Sequence, residues 1–202
     1  MKLYYAPGAC SLAPHIALRE TGAAFDLERV DLAKKQTATG EDFSRINPKG
    51  YVPALRLDNG EVLTEVAVIL QYLADRKPEA ALAPAAGSME RYRLMEWLNF
   101  VSSEIHKQFG PMFNPQITPE WKANQLNVLG RRFDYLSERL NGQPYLLGDT
   151  FSVADAYLFT VLNWNGYVGM DMGKWPGLQA YMARVAGRPA VREALKAEGL
   201  AS

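Results

Sequence analysis

Residues 52–76 read VPALRLDNGEVLTEVAVILQYLADR. Two short apolar runs, 52–57 and 61–63, stand on either side of Asn59-Gly60, a pair that tolerates the positive φ of a tight turn. Thr64 follows as a helix cap, and the apolar residues after it share one side of a helix, at Val66, Ile69, Leu70 and Leu73. The stretch therefore predicts a β-hairpin that leads directly into an amphipathic helix over 65–76.

The residues before this stretch alternate between strand and helix patterns. A β-rich run over 2–5 ends at Pro7-Gly8, and a helical pattern over 11–21 ends at Gly22. A second strand pattern over 25–32 precedes a short helix over 41–46. We therefore predict the order β-α-β-α-β-β-α for an α/β domain that spans 1–78.

The residues after the stretch contain no strand pattern. Pro84 and Gly87 among small residues mark 79–88 as a linker. Helical patterns then cover 89–109 and 118–140, and further helices begin at Ser152, Pro176 and Pro189. Residues 89–202 are therefore predicted to form a second domain, an all-α helical bundle.

Composition narrows the class of function. The 202 residues carry 22 Lys+Arg and 22 Asp+Glu, so the net charge is zero and no basic run attracts a nucleic acid or an anionic membrane. No apolar segment approaches the roughly 20 residues that span a bilayer, and we expect a soluble, cytoplasmic protein. With Cys 1 and His 2, the chain supplies neither a zinc cage nor an internal disulfide.

Cys10 lies between the first strand pattern and the first helix pattern. Unpaired N–H groups and the positive end of the helix dipole favour a thiolate at such a position. The position predicts a reactive thiol, and a buried structural cysteine is the alternative. Because Cys-Ser-Leu-Ala stands where a dithiol motif would have Cys-X-X-Cys, any redox chemistry involves an external thiol.

Two features near the hairpin suit a peptide ligand. Since proline cannot donate to a ladder, Val52-Pro53 is either an ordinary trans pair at an edge or a cis pair whose Val52 backbone faces a ligand's main chain. At Thr64-Glu65-Val66 the free N–H groups of a helix start suit a carboxylate, while Glu65 suits an ammonium group. A routine capped helix is the alternative to this amino-acid site.

A polar stripe crosses the predicted helix 89–109. It comprises Asn99, Ser102, Ser103 and His106, at i, i+3, i+4 and i+7. Amides, hydroxyls and an imidazole differ from the Glu, Lys and Arg of a solvated face, and they predict a lined cavity or an interface, with a plain polar face as the alternative.

For other side chains the sequence gives weaker indications of a functional role. Lys107 could steer an anion, and His15 is interpreted as a packing histidine. Five aromatic residues either wall an apolar pocket or belong to the core: Tyr5, Trp97, Phe109, Trp164 and Tyr167.

The chain resembles the glutathione transferases, and among them the bacterial, cysteine-containing beta class. The resemblance rests on the motifs KLYYAPGACS (2–11), INPKGYVPAL (46–55), LTE (63–65), WLNF (97–100), EIHK (104–107) and SVADAY (152–157). It implies a thioredoxin-like first domain, a helical second domain, a homodimer, and glutathione bound as co-substrate between the two domains, with no metal.

The resemblance also implies the roles of particular residues. Cys10 matches the cysteine that contacts or covalently links the glutathione sulfur, and Val52 before Pro53 matches the position that pairs with the cysteinyl backbone. Glu65 and Val66 match the γ-glutamyl clamp, although position 66 is usually glycine in this class. Cys10 and His106 are the implied catalytic residues, and the other implied contacts are Tyr5, Ser11, Lys35, Tyr51, Asn99, Ser103, Glu104, His106 and Lys107.

We therefore expect a glutathione transferase of the detoxification type, which stabilises the glutathione thiolate for attack on hydrophobic electrophiles. One alternative makes Cys10 itself the nucleophile, for thiol-disulfide exchange, peroxide reduction or reductive dehalogenation through a mixed disulfide with glutathione. Another alternative is a non-catalytic carrier of apolar ligands.

Overall fold

The first part of the chain is built on one five-stranded mixed sheet. In the computed structural model, which describes residues 1–201, the strands are β1 (Lys2–Tyr5), β2 (Asp26–Asp31), β3 (Gln36–Thr37), β4 (Ala54–Arg56) and β5 (Val62–Thr64). Their order is β3-β2-β1-β4-β5, with β1 and β2 parallel and the other pairs antiparallel. β1 lies at the centre, and Leu3 and Tyr4 are fully buried because helices cover the sheet.

Three helices accompany these strands: α1 (Leu12–Glu20), α2 (Phe43–Ile46) and α3 (Val66–Arg76). The thioredoxin-like α/β domain is therefore confirmed, with one addition to the predicted order. β3 was not predicted, because a strand of two residues is too short to show an alternating pattern. α2 begins later than predicted, at Phe43, because the Asp42 side chain accepts a hydrogen bond from Ser44 N at 2.9 Å and caps the helix there.

The hairpin that was predicted from Asn59-Gly60 joins β4 to β5. Its register pairs Leu55 with Leu63, and Gly60 has the positive φ, +90°, that the turn requires. The Val52-Pro53 peptide bond is cis, which decides between the two alternatives that the sequence left open. Pro53 precedes β4 and so takes no place in the ladder.

The last helix, α10 (Pro189–Ala197), packs on α1. Val191 on its inner face is fully buried, and Arg188 donates hydrogen bonds of 2.6 and 2.9 Å to the Glu20 carboxylate. The segment from Gly187 onward therefore forms one compact unit with Met1–Ala83, and Pro84–Ala186 forms the second. The predicted division at 79–88 did not anticipate this return, because periodicity identifies a helix but not the surface on which it packs.

His15 occupies the centre of this packing. It is fully buried, and its Nε2 accepts a hydrogen bond from Arg19 Nε at 2.9 Å. Since an arginine Nε can only donate, the His15 proton must be on Nδ1, which donates to the Glu198 carboxylate at 2.8 Å. The second carboxylate oxygen of Glu198 accepts the Gly8 N–H at 2.9 Å. His15 is therefore a fully bonded packing histidine.

The second unit contains only helices and turns. Its helices are α4 (Met89–Phe100), α5 (Lys107–Phe109), α6 (Pro119–Arg139), α7 (Val153–Leu162), α8 (Asn165–Val168) and α9 (Pro176–Ala186). A π-helical turn, Val101–His106, joins α4 to α5. All residues of α7 are buried, as expected of the central helix of a bundle. Within 1–201, no helix combines the length and apolar character that crossing a membrane requires.

α7 begins at a buried carboxylate. Asp155 accepts hydrogen bonds from Ser152 N at 2.9 Å and from Ser152 Oγ at 2.8 Å, which caps the start of α7. It also accepts from Leu146 N at 2.9 Å and from the Tyr181 hydroxyl at 3.0 Å. One side chain therefore ties the start of α7 to the preceding loop and to α9.

We expect Asp155→Ala to lower the free energy of unfolding by about 3 kcal/mol, because it leaves several buried donors without an acceptor. Chemical denaturation followed by tryptophan fluorescence measures this loss. Asp149→Ala is the matched control, since Asp149 is an exposed aspartate of the segment that precedes α7. A loss in Asp155→Ala no larger than in the control would contradict a structural role for the buried carboxylate.

Candidate active site

Cys10 lies in the loop that joins β1 to α1. The residue as a whole is partly exposed, and its Sγ donates a hydrogen bond to the Val52 carbonyl oxygen at 3.2 Å. Ser11 ties this loop together, because its buried hydroxyl lies 3.2 Å from both the amide nitrogen and the carbonyl oxygen of Ala6. Among the implied contacts, the structure thus brings Cys10 to Val52, whereas the Ser11 side chain is engaged within the loop.

Burial raises the pKa of the Cys10 thiol to about 12. Loss of hydration of the thiolate is the largest cause, and the neighbouring Glu65 carboxylate adds to it, while hydrogen bonds from backbone N–H groups lower the pKa only in part. Desolvation of the thiol therefore opposes the thiolate that the helix terminus favours. Cys10 is a protonated thiol that can donate a hydrogen bond.

A carboxylate and a helix start meet at the end of β5. Glu65 has φ of +72°, and α3 begins at the next residue, Val66. In the described residues 1–201, the N–H groups of Val66 and Ala67 donate to no protein acceptor, as is usual for the first turn of a helix. Val66 keeps this N–H although it replaces the usual glycine. The arrangement offers an acidic acceptor and amide donors side by side.

Lys49 contacts this cluster and was not predicted as a site residue. Its Nζ donates to the Glu65 carboxylate and, at 2.9 Å, to Thr64 Oγ1. The hydrogen bond to Glu65 raises the pKa of Lys49. The one available sequence signal was the position of Lys49 within the motif 46–55, since neither spacing nor periodicity links it to Glu65.

Lys35 and Tyr51 lie on either side of the segment that leads into the cis peptide bond. Lys35 Nζ donates to the Gly50 carbonyl oxygen at 2.6 Å, and Asn47 Nδ2 donates to the Tyr51 carbonyl oxygen at 2.7 Å. The Tyr51 side chain is 50% exposed. These bonds fix the backbone that precedes Val52 and leave an exposed phenol and a cation beside it. Tyr5 is partly exposed, and its ring centroid lies 6.2 Å from that of His15.

The polar stripe of the second unit coincides with the π-helical turn. Its predicted positions assumed α-helical spacing, but residues 101–106 adopt the wider i→i+5 pattern. Ser103 Oγ donates to the Asn99 carbonyl oxygen at 3.0 Å, and Asn99, Ser103 and Lys107 are exposed. Turns of this kind occur frequently at functional sites. The polar residues here therefore remain candidate site residues, although their spacing differs from that of an α-helix.

His106 is held in one orientation. Its Nδ1 lies 2.7 Å from the Tyr157 hydroxyl, and its ring packs edge-on against Trp164 at 5.0 Å between centroids. Trp164 also contacts Phe109 and the half-exposed Phe113, each at 5.6 Å. Sequence reasoning missed the contact with Tyr157, although this tyrosine ends the motif 152–157. The aromatic residues at this point form a wall beside the imidazole.

The other predicted aromatic and polar residues are placed differently. Trp97 is buried, and Tyr167 is 72% exposed. Glu104 accepts hydrogen bonds from Arg132 Nε at 2.9 Å and Nη2 at 2.6 Å, so its carboxylate is paired within the second unit. Across the described part of the chain, residues 1–201, no cluster of three or more His, Cys, Asp or Glu side chains is arranged to hold a metal ion.

Comparisons with known proteins agree with this architecture. The family profile of the glutathione S-transferase N-terminal domain matches residues 8–76, and that of the C-terminal domain matches residues 100–189. The chain is 47% identical over 200 residues to glutathione S-transferase GstA of Escherichia coli O157:H7, covering 99% of this chain and 100% of the relative.

Two solved structures are also similar to this chain over its whole length. A sphingomonad glutathione S-transferase complexed with glutathione has a TM-score of 0.96 and 54% identity, with 100% of both chains covered. The beta-class glutathione S-transferase of Sphingomonas chungbukensis has a TM-score of 0.96 and 54% identity, covering 99% of this chain and 100% of that one. The matches extend from end to end and agree with the sequence motifs, and the chain therefore belongs to the glutathione S-transferase family and, within it, to the beta class.

Proposed function

We propose that the chain conjugates the thiol of glutathione to hydrophobic electrophiles. The observation that carries this proposal is the position of Glu65 directly before the N–H groups of Val66 and Ala67, which find no protein acceptor within residues 1–201. The Glu65 carboxylate itself accepts a hydrogen bond from Lys49. The γ-glutamyl end of glutathione carries an ammonium group and a carboxylate on one carbon, which match this acceptor and these donors. The sphingomonad relative whose structure contains glutathione supports the same ligand.

The rest of the tripeptide fits the neighbouring backbone. The cysteinyl unit pairs with the main chain of Val52, as an added strand pairs with an exposed edge. Lys35, beside Gly50, is placed to attract the glycyl carboxylate, and the phenol of Tyr51 is exposed next to it. Ser11 contributes by fixing the loop rather than by touching the ligand.

In this mechanism the reacting sulfur belongs to glutathione. The protonated Cys10 thiol turns its hydrogen bond from Val52 to the glutathione sulfur and stabilises it as a thiolate, which lowers the pKa of the bound glutathione thiol. The thiolate attacks the electrophilic carbon, the C–S bond forms, and the leaving group departs with its bonding electrons, as chloride does from a chlorinated nitroaromatic. The proton of glutathione passes to solvent.

The raised pKa of Cys10 favours conjugation over the alternative in which Cys10 is the nucleophile. Thiol-disulfide exchange and peroxide reduction begin with attack by a thiolate, and burial keeps Cys10 protonated at neutral pH. A hydrogen-bond donor, by contrast, is useful only while it keeps its proton. A cytoplasmic location suits this role, because glutathione is kept reduced there.

The family resemblance implies that the polar and aromatic residues beside the π-helical turn belong to the same reaction, and the proposal includes them on that ground. The fixed imidazole of His106 and the exposed Asn99, Ser103 and Lys107 supply polar contacts, while the half-exposed Phe113 supplies an apolar surface for the electrophile. Glu104 takes part through its pair with Arg132, which holds the turn against α6.

Steady-state kinetics with glutathione and a chlorinated dinitrobenzene tests the proposal. Glu65→Gln removes the charge that faces the ammonium group, and we expect the KM for glutathione to rise about tenfold or more. Glu61→Gln is the matched control, because Glu61 is an exposed glutamate of the same hairpin. Equal KM values in the two variants would remove Glu65 from the site, and absence of any conjugation by the parent protein would contradict the proposed reaction.

The state of Cys10 can be measured separately, because it is the single thiol of the chain. We expect iodoacetamide to alkylate the folded protein at pH 7 far more slowly than the urea-unfolded protein, with a rate that rises roughly tenfold per pH unit up to about pH 10. The pKa of about 12 causes both effects, because the thiolate alone reacts. A rate that levels off near the ordinary cysteine pKa would contradict the assignment of Cys10 as a protonated donor.

We also propose that the chain forms a homodimer through α4. Met89, Tyr92 and Met95 recur on one side of this helix and are 64%, 57% and 42% exposed, an apolar surface that a monomer would leave in water. Sedimentation at micromolar concentration should give twice the chain mass of 22.5 kDa. Tyr92→Glu should give monomers, whereas Tyr167→Glu, at another exposed tyrosine, should not. A parent protein that sediments as a monomer would contradict the proposal.

A further inference from the structure

The Glu65 carboxylate already carries a cation of the protein. Lys49 Nζ donates one hydrogen bond to Glu65 Oε1 and another, of 2.9 Å, to Thr64 Oγ1. The other carboxylate oxygen of Glu65, Oε2, accepts no hydrogen bond from residues 1–201. A lysine ammonium group therefore occupies the position that the proposed reaction gives to the ammonium group of glutathione.

This ion pair can be exchanged for another one. The side chains of Lys49 and Glu65 are 43% and 54% exposed, and ion pairs so accessible to water are weak. The backbone of Lys49 is fixed, because Asn47 Oδ1 accepts its N–H at 3.2 Å and the Asn47 carbonyl oxygen accepts the Gly50 N–H at 2.8 Å. Only the lysine side chain has to rotate away, and Thr64 Oγ1 remains within its reach as an acceptor.

A charge on Glu65 also affects the sulfur chemistry nearby. Burial is the largest cause of the raised pKa of the Cys10 thiol, and the Glu65 carboxylate adds to it. A carboxylate without a counterion would likewise oppose a thiolate on a glutathione sulfur that lies beside Cys10. Lys49 compensates this charge before a ligand arrives, and the ligand's own ammonium group can do so afterwards.

We propose that Lys49 holds the place of the γ-glutamyl ammonium group: it pairs with Glu65 while no ligand is bound and gives up this carboxylate when glutathione binds. The inference rests on the proposed function, since it takes glutathione as the ligand. Two cations compete for one carboxylate, so Lys49 subtracts from the affinity that the ligand's ammonium group contributes. A tripeptide thiol without that group leaves the pair between Lys49 and Glu65 intact. Lys49 is therefore a specificity-determining residue, which reduces the preference for thiols that carry the ammonium group.

Isothermal titration calorimetry on the intact protein tests the exchange with two ligands. These are glutathione and glutaryl-cysteinyl-glycine, which has hydrogen in place of the ammonium group. The ratio of their dissociation constants measures what the ammonium group contributes, and interactions common to both ligands cancel from it. We expect Lys49→Met to raise this ratio about fivefold, because the ammonium group then pairs with Glu65 without displacing another cation.

Further variants show whether Lys49 acts through Glu65. Lys49→Arg keeps the cation and should retain the ratio of the parent protein. Lys77→Met is the matched control, because Lys77 is 44% exposed and pairs with Glu79 at 3.4 Å, and it should also retain that ratio. In a Glu65→Gln background the Lys49→Met change should alter the ratio by less than about twofold, since the carboxylate for which the two cations compete is gone.

The outcomes separate this inference from the proposed function. A ratio in Lys49→Met that is equal to or smaller than that of the parent protein would overturn the inference. A fivefold rise in the Glu65→Gln background would also overturn it, because simple repulsion between the two cations would then be the cause. Both results presuppose a parent protein that binds the two ligands, and they leave the proposed function untouched. A parent protein that binds neither ligand would contradict the proposed function, and the inference would fall with it.

Discussion

The buried carboxylate of Glu198 holds the loop on which the candidate active site depends. It accepts the Gly8 N–H at 2.9 Å and the His15 Nδ1–H at 2.8 Å, and its side chain has no contact with solvent. Its charge is balanced through His15, whose other nitrogen is bound by Arg19. Removing one partner from such a buried network costs roughly 3–5 kcal/mol. The last helix of the chain thereby fixes the loop that presents Cys10, far away in sequence.

The chemistry of Cys10 follows from a competition between two environments. α1 begins at Leu12, so its N–H groups lie close enough to favour a negative charge on the sulfur. The loop that Glu198 and Ser11 fix also removes water from the thiol, and this loss is the larger effect. The outcome is a raised pKa, which suits the hydrogen-bonding role that we propose for Cys10. The position of a thiol relative to a helix therefore predicts the direction of one contribution to its pKa. It does not predict the sum of all contributions.

The sequence predicted most elements of the fold, because each has a periodic pattern of its own. The structure confirms the hairpin at Asn59-Gly60, the apolar repeat of α3 and the helix that begins at Ser152. Each of them depends on neighbours in the chain. The sequence-based predictions failed where contacts between residues far apart in sequence determine the structure. The return of α10 to α1 and the pairing of Lys49 with Glu65 depend on contacts between distant residues, which no local pattern encodes.

The candidate site was less predictable than the fold, because it too depends on contacts between residues far apart in sequence. The polar residues around His106 were identified as a group, but their spacing was not, because a π-helical turn and an α-helix contain the same residue types. The Tyr157 hydroxyl that orients His106 comes from a different helix, within a segment that reads as ordinary core. Motifs that carry the family resemblance identified the residues, and packing determined what each of them can do.

Net charge shows how far composition can mislead about a surface. The chain carries 22 basic and 22 acidic residues, so its overall field gives no reason to expect an anion site. Ion pairs use these charges unevenly, however. In the cleft that α4 and α6 line, Glu104 pairs with Arg132 and Glu96 with Arg93, whereas Arg131 and Arg139 take part in none of the ion pairs among residues 1–201. The pair between Glu104 and Arg132 also holds the π-helical turn against α6. A neutral chain can present a local cationic cleft because the distribution of its pairs, and not their number, determines the field that a ligand meets.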